Sequence, residues 1–478
     1  MNSVRTPTPT RTGGLRRRGA AGLAALALGI GSLGACSTAT SATGSAATSA
    51  SVEGTVWDAS SVHEVSIDVD DDEFAAMLAT YQESDEKDWL TADVTIDGQT
   101  ISDAGIRLKG NSSLRDVDAD SDPADLPWLI DLDKFVDGQS LDGWESFVIR
   151  SSTTETSLNE AVALALLDEA GLASEEAVSI SFSANDSGST LRLMVQDLDN
   201  RWDEATFGTD GTLYKAEAGG DYSYRGDDPE AYDEVFDIEA GTDDHEPLTD
   251  FLQWLEESSD EEFADGLAER LDVDAFATYL AFEDLVGNFD DIAGPGNNSF
   301  LRWDAEAEQM TVVAWDHNLA FGATNGGGQG GGGVPGGAGA PGERPEGMEP
   351  PAGMEPPVDG ERPEPPEGME PPAEGELPEA GGVPGGGQGG QGGQGGMGGM
   401  GGMGGNVLAE RFLATPELAD LYDAAVADLQ AELFDSGTAQ EVLDAWVSVL
   451  GEQADDLVDA ATIELEAEQV ASYFDGQA

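Results

Sequence analysis

Two stretches decide how this chain folds: Asn288-Phe289-Asp290-Asp291 with Asn297-Asn298, and Ala314-Trp315-Asp316-His317-Asn318-Leu319-Ala320-Phe321-Gly322. Between them run Ser299-Phe300-Leu301-Arg302-Trp303, a polar turn from Asp304 to Glu308, and a second apolar run from Met310 to Trp315. Two apolar runs joined by a polar turn read as a β-hairpin. Its open end then carries Asp290, Asn298, Asp316 and Asn318 together, although the first and last are 28 residues apart in the chain. A hard cation such as Mg²⁺ takes oxygen ligands, commonly one or two carboxylates plus substrate phosphates. The same spacing also describes two acidic loops that flank a hairpin and bind nothing.

Residues 1–35 hold five arginines and no acidic residue, with Arg16-Arg17-Arg18 ahead of an apolar run from Ala20 to Leu33. The run is too short and Gly-rich for a membrane-spanning helix and has the form of a secretory signal. It ends in Leu33-Gly34-Ala35-Cys36, the form of a bacterial lipobox, in which Cys36 receives lipid and becomes the first mature residue. The alternative is a plain signal peptide with an incidental cysteine. The triple arginine also fits a twin-arginine export signal. Cys36 is the only cysteine, so no internal disulfide can form. The expectation is an exported lipoprotein on the outer face of the cell membrane, with residues 36–56 as a flexible tether.

Without residues 1–35 the chain keeps 15 basic against 96 acidic residues, a net charge of −81. Such a surface repels nucleic acid and anionic lipid, which argues against a nucleic-acid partner. There are four lysines, Lys87, Lys109, Lys134 and Lys215. Their scarcity makes those inside motifs candidates for a specific task, with a local salt bridge as the ordinary alternative.

From Trp57 the chain reads as strands, then helices. Val62 to Val69 alternates as a strand. Asp70-Asp71-Asp72 caps a helix carrying Phe74, Met77, Leu78 and Tyr81, in preference to forming a calcium loop. Ala92–Ile96 and Thr100–Leu108 form a hairpin about Asp97-Gly98. It delivers Arg107-Leu108-Lys109-Gly110-Asn111-Ser112-Ser113, two cations, a glycine and two hydroxyls able to cradle a phosphate, or simply a loop. Further strands fall at Trp128–Leu132, Phe147–Arg150, Val178–Phe182 and Thr190–Val195. Ser157 to Ala170 reads as a helix with Ser157 and Glu160 as its capping box and Gly171 as its stop. Glu160 has a second reading, as a carboxylate that orients a lysine in a kinase-like site. Two helices are expected between Asp260 and Val286. Residues 323–405 are Gly-, Pro-, Glu-, Gln- and Met-rich, with Gly-Met-Glu-Pro-Pro three times, and are expected to be a disordered insertion that either binds a partner or is inert. Helical periodicity returns over 407–433 and 438–474 and is expected to complete the interrupted domain. The fold class is α+β, with a domain at 57–322 and helices at 406–478. His63, His245 and His317 have no zinc-like spacing.

Five segments in order resemble the CotH family of spore-coat-protein-H-type atypical kinases. They are Gly105 to Ser113, Asp133-Lys134-Phe135 with Gly138-Gln139, Gly211 to Lys215, Asn288-x-Asp290, and Trp315-Asp316-x-Asn318-x-x-Phe321-Gly322. The resemblance implies an atypical protein-kinase-like fold and transfer of phosphate from ATP to protein hydroxyls with Mg²⁺ or Mn²⁺. It gives Asp316 the metal-binding aspartate role and Asp290 the catalytic or second metal-binding role. Asn298 and Asn318 then support the metal or phosphates, and Arg107, Lys109, Ser112, Ser113 and Lys215 contact the nucleotide. It further implies a protein substrate at the cell surface. Three departures stand out: Asp291 adjoins Asp290, Gln196 replaces a glutamate common in the family, and an 83-residue insertion follows Gly322. The competing readings are a non-catalytic envelope or coat-assembly protein and transfer from another donor such as polyphosphate, since ATP is scarce outside the membrane.

Overall fold

The structure is a computed structural model and describes residues 55–324 and 406–474, apart from 116, 152, 186, 218–220, 234, 294–297 and the side chain of Ser112. The expected export signal, Cys36, Asn297 and positions 325–405 of the expected insertion lie outside the described residues. The fold is α+β, with a strand-rich N-terminal part and a helical C-terminal part.

Strand β1 (His63–Val69) alternates buried and more exposed residues, and Asp70 caps α1 (Asp71–Ser84) by accepting from the amides of Asp72 and Glu73. Strands β2 (Leu90–Ile96) and β3 (Gln99–Leu108) meet at Asp97-Gly98, whose φ values of 47° and 76° are those of a type I′ turn. With β4 (Trp128–Asp131), β5 (Ser146–Ile149), β6 (Ala177–Ala184) and β7 (Thr190–Gln196) they close a barrel in the order β1-β2-β3-β4-β5-β7-β6. Among the described barrel strands only β1 and β6 pair in parallel. Closure leaves no free edge, and Val94, Ile106, Trp128, Phe147, Ile180 and Phe182 fill the interior.

Helix α2 (Leu158–Glu169) lies between β5 and β6 in sequence. After α3 (Asn200–Thr206), a second sheet takes the order β11-β10-β8-β9 from β8 (Gly211–Ala216), β9 (Phe236–Ala240), β10 (Ser299–Asp304) and β11 (Gln309–Ala314). Helices α4 (Glu246–Glu257), α5 (Asp260–Gly266) and α6 (Val273–Val286) precede the hairpin. In the β10–β11 hairpin Ser299 faces Ala314, so Asn298 and Trp315-Asp316 emerge side by side.

Beyond the insertion come α7 (Val407–Ala414), α8 (Pro416–Leu429), α9 (Thr438–Gln453) and α10 (Ala460–Ala471). Pro416 at a helix start divides the expected 407–433 helix, since a proline ring is tolerated only in a first turn. Helix α8 packs on α6, and α9 and α10 pack on α2. Phe412 meets Phe276 edge-on at 5.0 Å.

The start of α2 corrects the capping-box expectation. Ser157 takes the left-handed conformation (φ 54°) and makes no side-chain cap bond. Instead the Thr156 hydroxyl accepts from the Leu158 amide at 3.2 Å. Glu160 is drawn away by a buried arginine, a tertiary charge that outweighs a local amide.

Candidate functional site

Strand β5 delivers Arg150, α2 presents Glu160, and β11 leads to Asp316. The Arg150 Nη2 donates to both Glu160 Oε1 and Asp316 Oδ1. Asp316 is left-handed (φ 64°, ψ 70°), which turns the chain from the strand into the short helical segment His317–Gly322. Aspartate tolerates this region better than most residues. The Trp315 ring has Lys109 Nζ at 5.4 Å and Arg150 Cζ at 5.3 Å from its centroid, and Lys109 is tethered to Asp197 at 2.6 Å.

The second carboxylate comes from the end of α6. Gly287 stops the helix in the left-handed region, and Asn288 folds back to donate to Glu283 Oε2 at 2.9 Å. The other Glu283 oxygen lies 3.1 Å from His317 Nε2. One buried carboxylate thus ties the Asn288–Asp291 loop to the Asp316–Gly322 loop. Asp290 accepts from Asn298 Nδ2 at 2.9 Å. Burial and the charge of Asp316 raise its carboxyl above the usual range. Asp291 is more deeply buried.

Asn318 engages differently: its carbonyl accepts from Asn159 Nδ2 at 2.7 Å and from the Thr153 hydroxyl at 3.0 Å. Among the described residues, its side chain makes no hydrogen bond to either aspartate. Gln196 Oε1 accepts from the Glu176 amide at 2.9 Å, a bond to the backbone.

The basic residues gather at the loop after β3. Lys87 donates to the Gly110 carbonyl at 2.6 Å. Burial, and then the charges of Lys215, Arg107 and Lys109, lower its basicity, so Lys87 feels all three of these cations. Lys215 pairs with Glu217 at 2.6 Å and Glu239 at 3.7 Å. Arg107 and Lys134 lie over Trp89, 4.9 and 4.4 Å from its centroid. Gly110 has φ 109° and sits directly against the Ser113 hydroxyl.

Sequence reasoning missed Arg150, Glu175, Glu283 and Lys87 as members of this region. Burial lowers the charge preference of Arg150, yet Asp316 and Glu160 hold it above its usual range. His317 is fully buried, and the charge and hydrogen bond of Glu283 together with the charges of Glu175 and Glu160 outweigh that burial to push it up to about 9. Burial pushes Glu175 up to about 7, and its Oε2 has no hydrogen-bond partner among the described residues.

Among the described residues, Glu160 lies beside Arg150 and Asp316, while Glu283, Glu175 and Glu160 surround His317 with negative charge. No group of three or more His, Cys, Asp or Glu residues among the described residues could hold a metal ion. Two carboxylates with an adjacent amide instead suit Mg²⁺, which keeps waters and shares phosphate oxygens.

The chain is therefore an α+β protein whose two carboxylate loops converge near a cluster of cations. Residues 106–469 match the family model described as CotH kinase protein, and the chain belongs to that family. The match begins inside β3 and ends within α10, so it takes in both carboxylate loops and the helices beyond the insertion. No curated protein sequence matches the chain.

Proposed function

We propose that this is an exported, lipid-anchored protein kinase that transfers the ATP γ-phosphoryl group to protein Ser/Thr hydroxyls. The observation that carries the reading is the convergence of the Asp290–Asn298 pair with Asp316, beside a lysine-bearing loop in a chain with only four lysines. Phosphoryl transfer needs positioning and neutralised charge more than covalent chemistry. Asp316 and Asp290 would hold Mg²⁺ or Mn²⁺, with Asn298 and Asn318 in support. The bound ion would supply charge neutralisation on the phosphates. Lys109, Lys215, Lys87 and Arg107 would bind phosphate oxygens together with Ser112, Ser113 and the amides around Gly110. Asp290, with its raised proton affinity, would take the acceptor hydroxyl proton.

Export and a lipid on Cys36 would put this site outside the membrane, with a surface protein as acceptor and the Gly/Pro/Met-rich segment as a contact for it. The test is Mg²⁺-dependent ³²P transfer from ATP by the native protein, Asp316→Ala and Asp290→Ala. Transfer lost in both variants supports the reading. A native protein that neither transfers phosphate nor responds to nucleotide with Mg²⁺ or Mn²⁺ refutes it and favours the non-catalytic envelope role.

A further inference from the structure

The end of α10 reaches both carboxylate loops. Gly287 (φ 65°), just before Asn288, lies so near the Tyr473 ring that a Cβ there would stand 2.8 Å from Cε1. Gly322 (φ 72°), at the end of the Asp316 loop, faces the Tyr473 hydroxyl with no room for a Cβ. A single side chain therefore fills the space left by two glycines, one on each loop. Phe321 is left-handed as well (φ 55°), a conformation that bulky residues rarely adopt. It is held edge-on by Tyr473 and Phe474 at 5.8 and 6.0 Å, and Gln469 Nε2 donates to its carbonyl at 3.1 Å. One turn earlier, Glu466 accepts from the Glu155 and Thr156 amides at 2.9 Å each and from the Thr156 hydroxyl. That fixes the loop before Asn159, whose amide holds the Asn318 carbonyl. Backbone in sparsely populated regions persists only where its surroundings over-determine it. Here α10 supplies much of that surrounding, from a sequence position beyond the insertion.

We propose that the end of α10 is a clamp, with Tyr473, Gln469 and Glu466 as positioning residues that set the spacing between the Asp290 and Asp316 loops. Its effect on catalysis rests on the kinase reading; its effect on the loops does not. Residues that support metal ligands typically change metal affinity or activity by about 10–100-fold. Tyr473→Ala is expected to raise the Mg²⁺ concentration for half-maximal phosphate transfer by about tenfold, at the low end of that range, and to lower kcat. Tyr473→Phe keeps the ring against Gly287 and Phe321 and restores most of the wild-type behaviour. A purely structural residue would lower thermal stability without moving the Mg²⁺ requirement.

The second readout needs no activity. Amide hydrogen exchange on the metal-free full chain should quicken at 287–293 and 316–324 in Tyr473→Ala and stay unchanged in the barrel strands. If that variant cannot be purified, Gln469→Ala and Glu466→Gln take its place in the same measurement. Wild-type exchange in both loops, or a uniform increase over the whole domain, overturns the clamp. Selective loop exchange in a protein that transfers no phosphate would keep the clamp and refute the kinase reading.

Discussion

Glu175 offers a test that reads the buried charge balance directly. Unfolded, its carboxyl titrates near 4.5; folded, burial pushes it up to about 7. A folded value above the unfolded one means that its stabilising contribution is fully present below pH 4.5 and is lost as pH rises through 7. The shift corresponds to about 3 kcal/mol at 1.36 kcal/mol per unit, as an order of magnitude. Glu175→Gln is neutral throughout. Its stability relative to wild type should therefore climb by about 3 kcal/mol between pH 4.5 and 8. The assay is urea unfolding of both proteins in EDTA across that range, and self-repulsion of the acidic surface largely cancels in the difference. His317, held up to about 9, stays charged across the window. A difference that stays flat, or a variant less stable at pH 8, would refute the reasoning. It would mean that the attractions of His317 and Arg150 outweigh the burial of this carboxylate.

Arg150→Met should cost about 3–5 kcal/mol in urea unfolding, because it strands Glu160 and Asp316 without their shared partner. Adding Glu160→Leu should recover part of that loss. Gly110→Ala must hold φ 109° and displace the Ser113 hydroxyl, so it should lose about 1–3 kcal/mol and reduce thermal stabilisation by Mg²⁺-ATP. Asp290→Asn relieves repulsion with Asp316, so the metal-free protein should gain stability while its stabilisation by Mg²⁺ falls. NaCl at matched ionic strength controls for screening, and an unchanged Mg²⁺ response would remove Asp290 from the metal set.

The β10–β11 hairpin and the Asp97-Gly98 turn were legible because apolar runs and turn residues are local signals. Barrel closure was not: His63 pairs with Ile180, and no local pattern records so distant a parallel partner. Helix α4 was overlooked although Leu248, Phe251, Leu252 and Leu255 fall at helical spacing and are buried. The Ser157–Glu160 pattern misled because a capping box is a local motif, whereas the Arg150–Glu160 ion pair forms only when strand and helix pack. Tyr473 carries no motif. Its role follows from two glycines that sequence marks only as a helix stop and a loop end.

Composition does not account for where the carboxylates lie. A chain with 96 acidic residues has ample surface on which to keep them hydrated. Yet Glu160, Glu175 and Glu283 are each at most 6% exposed, around the loops that carry Asp290 and Asp316. Burying charge is costly unless it is paired, and here the nearby cations are outnumbered. The resulting negative field falls where the two loops converge, with Lys109 reaching the same Trp315 ring that Arg150 covers. A protein that served only as a scaffold gains nothing from that arrangement. One that must gather a divalent cation and a polyphosphate at one point requires both signs of charge, held apart until the ligand joins them. The proposed kinase reading would use that separation of charge, with the ligand as the bridge between the two signs.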